Sequence, residues 1–205
     1  VISSTDAASV FSVLRSKKLN LRYGTASILE LESGSNDPWA YMLTVIILSV
    51  MKGGATAGGF VMSLLAQVFF GVFFGALISL GAVYLIKRVR FDAAGFDAIF
   101  VTAIAILSYA LPSAVGGNGY LSCYIVGIVL GNTKISGKTA LVHFFDGITG
   151  FTQILLFFLL GLLAFPSQMP SIILPAAAIA LFLTFVARPA AVTVIMKPFG
   201  AKWKQ

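Results

Sequence analysis

The chain has 205 residues, 59% of them hydrophobic and 10% charged, with a mean hydropathy of +0.98. Soluble domains carry about 25% charged residues, so this composition excludes an ordinary water-soluble domain. A single Cys and a single His exclude a disulfide framework, a zinc finger and an iron–sulfur cluster. The net charge of +7 is spread over short clusters between apolar runs, which excludes a nucleic-acid patch.

No Asp, Glu, Lys or Arg lies between Lys52 and Lys87, between Asp97 and Lys134, or between Asp146 and Arg188. Each gap holds one or two runs of the roughly 20 apolar residues that cross a bilayer core. The fold class expected is all-α, a polytopic transmembrane helix bundle. In chain order the apolar runs predict a partial span at 1–14 and full spans near 25–51, 60–86, 96–112, 114–132, 146–165 and 171–196. Six full spans and one partial one result. The short opening run and the missing initiator Met mark residues 1–205 as part of a longer transmembrane domain.

Loop charge assigns the sides. Basic clusters at Arg15/Lys17/Lys18/Arg22, Lys87/Arg88/Arg90, Lys134/Lys138 and Lys197/Lys202/Lys204 alternate with loops that carry Lys52 alone or no base. By the positive-inside rule, residues 15–24 and the C-terminus face the cytoplasm. That alternation requires 114–132 to cross, despite Gly116, Gly117 and Gly119. Gly71/Gly75 and Gly127/Gly131 have the spacing that lets helices approach closely, and both pairs are expected to pack within the chain.

Asp92, Asp97 and Asp146 are expected at cytoplasmic helix starts, where a carboxylate meets free N–H groups and the helix dipole. His143 is read as interfacial. Gly137-Lys138-Thr139 lacks the earlier Gly and the strand of a phosphate-binding loop, and Gly117-Asn118-Gly119 is likewise incomplete. Four acids lack so ordinary an explanation: Asp6, Glu30, Glu32 and Asp37. An acid at membrane depth costs roughly 2.5–3.5 kcal/mol and usually faces a cavity or a partner.

Three of these acids lie in Glu30-Leu-Glu32-Ser33-Gly-Ser-Asn36-Asp37-Pro38. At helical spacing Glu30, Ser33 and Asp37 share one face, and Glu32 and Asn36 another. Pro38 has no N–H, so the Gly34 carbonyl loses its helical partner and becomes available to an ion or water. Carboxylate, amide, hydroxyl and carbonyl oxygens suit a monovalent cation stripped of water. Arg188 is the single base inside a long apolar run, and it needs a counter-charge among Asp6, Glu30, Glu32 and Asp37.

The motifs Thr5-Asp6-Ala-Ala-Ser-Val-Phe, Glu32-Ser33-Gly-Ser-Asn36-Asp37-Pro38 and Ala187-Arg188 resemble those of the monovalent cation:proton antiporters. The similarity is strongest to the bacterial potassium/proton antiporters of the sodium/proton exchanger superfamily. It extends through His143-Phe-Phe-Asp146-Gly, Gln153 and Leu160-Gly-Leu-Leu. The resemblance implies a two-part fold with discontinuous helices, a core domain and a dimerising scaffold, of which the opening helices, the second unwound helix and any cytoplasmic regulatory domain lie outside this chain. It implies that Asp6 and Thr5 sit on the first unwound helix and that Asp37, with Asp6, Thr5 and Asn36, forms the site that binds the monovalent cation or the proton. Ser33 is then a ligand, and Asn36 marks an electroneutral exchanger. Glu32 and Arg188 form a structural ion pair.

The function expected is exchange of K⁺ or Na⁺ for protons across the bacterial inner membrane by alternating access, in a homodimer and without a cofactor. An ion channel and a membrane-embedded enzyme are the alternatives. The enzyme would need a nucleophile–base pair at one depth, which the sequence does not offer.

Overall fold

The computed structural model describes residues 25–52, 57–88, 95–135 and 137–197. The partial span at 1–14, with Thr5 and Asp6, and the acid Asp92 lie outside these residues. Within them every element is helical: α1 (Thr25–Met51), α2 (Ala57–Arg88), α3 (Phe96–Ala114), α4 (Gly119–Asn132), α5 (Lys138–Leu163), a 3₁₀ turn at Pro166–Gln168, α6 (Met169–Phe182), a π turn at Leu183–Ala187 and α7 (Arg188–Met196).

Among the described residues four helical stretches are long and apolar enough to cross a membrane: Gly58–Arg88, Phe96–Ala114, Lys138–Leu163 and Met169–Ile195. α1 is not among them, because its first half carries Glu30, Glu32, Asn36 and Asp37. α4 has 14 residues and so rises about 21 Å, less than the roughly 30 Å of a bilayer core. The crossing expected of 114–132 therefore has to draw on the flanking turns as well.

The chain divides into two units. Among the described residues the first holds 27–147 and the second 148–197, together with 25–26. In the first, α2, α3 and α4 pack around Ile78, Ala82, Ile104, Val126 and Leu130, flanked by Phe74, Val83, Phe100 and Val101. Lipid is as apolar as these side chains, so close backbone approach rather than burial from water has to hold such helices together. Small residues supply it. A Cβ on Gly71 would stand 3.0 Å from the Asn118 carbonyl oxygen, and one on Gly75 would stand 3.2 Å from the Ser122 Cα. Gly71/Gly75 is thus an intrachain contact, as its spacing suggested. A Cβ on Gly127 or Gly131 would meet no described atom within 4 Å, so the described residues show no such contact for that pair.

Hydroxyls on these helices bond their own backbone, as an apolar surrounding demands. Thr44, Thr102, Ser108 and Thr133 each donate to the carbonyl four residues earlier, at 2.6–2.7 Å. Asp97 lies in the first turn of α3, as expected, although the N-cap is Gly95 at φ 87 and no side chain caps it. Asp146 differs from expectation. α5 begins at Lys138, just after Gly137 at φ 71, which places Asp146 two turns inside the helix, where no free N–H groups remain to be capped.

In the second unit, α6, the π turn and α7 form one continuous helical run. Pro189 cannot donate to Phe185, and its ring crowds that carbonyl. The helix widens to absorb it: the Arg188 N–H donates to Leu183, five residues back rather than four.

Candidate functional site

The acidic segment of α1 is helical throughout, and a row of its residues seats on α4. The Tyr124 hydroxyl donates to the Leu31 carbonyl at 3.4 Å. A Cβ on Gly34 would come within 2.8 Å of the Tyr124 ring, so glycine lets that ring sit where it does without shifting. One turn on, the Asn118 side-chain amide donates to the Pro38 carbonyl at 2.9 Å. The rings of Tyr41 and Tyr120 then meet at 4.6 Å between centroids, and Tyr109 adds a third ring 5.2 Å from Tyr120. Leu31, Gly34, Pro38 and Tyr41 recur at spacings of three and four, which is one helical face.

Asn118 is the joint of this arrangement and is 1% exposed. Its backbone N–H donates to the Gln67 carbonyl of α2 at 3.1 Å, an approach that Gly71 leaves open. Its Oδ1 accepts from the Leu121 N–H at 3.1 Å and caps α4. Its Nδ2 is thereby directed at Pro38. The α3–α4 turn has its own bonds, Gly116 N–H to Ser113 and Gly117 N–H to Pro112. Irregular backbone alongside the middle of α1 and α2 is tolerated in an apolar setting only when satisfied in this way.

Glu32 and Asn36 lie on one face, as their spacing suggested, and the Asn36 amide donates to Glu32 Oε1 at 3.0 Å. The Ser35 hydroxyl donates to the Glu32 carbonyl. Ser33 is fully buried, and among the described residues its Oγ has no hydrogen-bond partner. Asp37, one turn further along the same row, is exposed. On the face expected for Glu30, Ser33 and Asp37, the described side chains therefore go from buried at Ser33 to exposed at Asp37, and the Glu30 side chain lies outside the description. Arg188 belongs to the second unit, where it is exposed and follows the π turn. Among the described residues no three His, Cys, Asp or Glu side chains gather into a metal-binding group. The oxygen atoms on offer are those of single carboxylates, a hydroxyl, an amide and backbone carbonyls.

Sequence reasoning missed Asn118 and Tyr124. Asn118 was visible as a cap, an Asn immediately before an apolar helix, but its Gly-Asn-Gly setting was weighed only as a nucleotide motif.

The described residues combine membrane-length apolar helices with an acid-bearing helix bonded to its neighbour, and a family match says what kind of chain this is. The family model for the transmembrane sodium/hydrogen exchanger matches residues 1–205, and the chain belongs to that family. Among curated relatives, the K(+)/H(+) antiporter NhaP2 of Shewanella oneidensis is 40% identical over 97% of this chain and 35% of its own length. The K(+)/H(+) antiporter NhaP of Alkalimonas amylolytica is 37% identical over 97% and 35%. The Na(+)/H(+) antiporter NhaS2 of Synechocystis is 28% identical over 88% and 34%. The chain thus spans about a third of the length of the curated relatives it matches. No solved structure matches it significantly.

Proposed function

We propose that this chain is part of a secondary transporter that exchanges a monovalent cation for protons across the bacterial inner membrane. The observation that carries this reading is the α1 segment. In a chain of the sodium/hydrogen exchanger family, Glu32, Ser33, Asn36 and Asp37 occupy six residues of one helix, just before Pro38, and the helix is anchored to α4 on both sides of them.

Asp37 binds either the proton or the cation, never both, and that competition couples the two gradients without ATP. Asp6, Thr5 and Ser33 complete the cation's oxygen ligands, and Asn36 holds Glu32. Glu32 and Arg188 form the ion pair that steadies the core. One titrating carboxylate makes the exchange electroneutral, one proton against one cation. The protein works by alternating access as a homodimer, with 15–24 and the C-terminus in the cytoplasm, and needs no cofactor and performs no covalent chemistry. K⁺ is favoured over Na⁺ by the names of the relatives at 37–40% identity.

Dye-monitored flux in proteoliposomes of the full-length protein tests the proposal. Antiport gives a cation-driven pH change that reverses when the cation gradient is reversed. A channel gives current with no coupled proton movement, and that result would reject the proposal.

A further inference from the structure

We infer that Asn118 and Tyr124 are positioning residues for the exchange site, holding the Asp37-bearing segment of α1 at both ends. The inference rests on Asp37 as the exchanging carboxylate. Tyr124 donates to Leu31, the residue immediately before Glu32, and Asn118 donates to Pro38, the residue immediately after Asp37. Six residues separate the donors along α4 and seven separate the acceptors along α1, rises of about 9 and 10.5 Å. The two runs match in length and oppose in direction, so the donors reach their carbonyls together.

Asn118 is held by its cap to Leu121 and its backbone bond to Gln67, and the Tyr124 ring lies close against Gly34, where an added Cβ would force the ring to shift. A rotation or slide of α1 relative to α4 would break both bonds. The Asn118–Pro38 bond is buried, so no water replaces it. The clamp therefore fixes where the Asp37 carboxylate stands relative to the other oxygen ligands, and with it the balance between cation and proton.

Two variants of the full-length protein separate this role from simple support. Tyr124→Phe removes only the hydroxyl and keeps the ring on Gly34. Asn118→Ser keeps an oxygen to cap α4 but is too short to reach Pro38. Each should raise the apparent KM for K⁺ about two- to tenfold, the worth of one ordinary hydrogen bond, and displace the pH profile of exchange. Detergent melting of Tyr124→Phe should stay near wild type. If Tyr124→Phe keeps the wild-type KM and pH profile, the inference is overturned, even if Asn118→Ser fails to fold. A lowered melting temperature with unchanged KM overturns it too, since it marks a structural role alone. Exchange persisting in Asp37→Asn would instead remove the site on which the inference rests.

Discussion

The Cα of Ser122 lies 3.2 Å from the point where a Cβ on Gly75 would stand. Two helices meet there at nearly the smallest separation their backbones allow, with Ile125 closing the other side at 3.1 Å. The contact sets the position of α4, and α4 in turn holds the acidic segment of α1 through Asn118 and Tyr124.

Gly75→Val should accordingly push α2 and α4 apart and cost about 1–3 kcal/mol, the usual penalty for overpacking. Gly127→Val, on an open face of α4, should cost much less. Thermal unfolding of both variants in detergent checks this, with a clear fall in melting temperature expected for Gly75→Val alone.

A second prediction concerns charge movement. With Asn36 where a second acid would stand, and its amide on Glu32, one carboxylate dominates each cycle. The exchange rate in proteoliposomes should then be the same at any clamped membrane potential. A rate or end point that follows the imposed potential would show that the transport is electrogenic.

Much of this architecture was legible in the sequence. Lys52 and Lys87, Asp97 and Lys134, and Asp146 and Arg188 bound uncharged stretches that read as apolar helices, and among the described residues four of the six full spans expected are membrane-length helices. Pro189 must break one helical bond wherever it falls in a helix, but periodicity does not show that a π turn absorbs the break. The charge of Asp146 suggests a helix start, whereas the left-handed Gly137 is what opens α5. The Asn36–Glu32 bond is local, one turn apart, and follows from helical spacing. The Asn118–Pro38 bond spans 80 residues of sequence, and no pattern within either segment announces it.

A third prediction addresses the proposed pairing of Glu32 with Arg188. Arg188→Gln and Glu32→Gln should each lower thermal stability, and the double variant should recover much of the loss. Breaking a buried pair from one side costs about 3–5 kcal/mol, whereas an exposed pair is worth about 0–1. The size of the coupling in a double-mutant cycle thus reports both the partnership and its surroundings. Losses that simply add would mean that Arg188 answers to another acid.

The central claim is that Asp37 is the carboxylate at which cation and proton exchange. The direct measurement is dye-monitored exchange in proteoliposomes of the full-length protein carrying Asp37→Asn, beside wild type at matched incorporation. The account predicts no cation-dependent pH recovery in the variant, with expression and detergent melting near wild type. Recovery at the wild-type rate would contradict it.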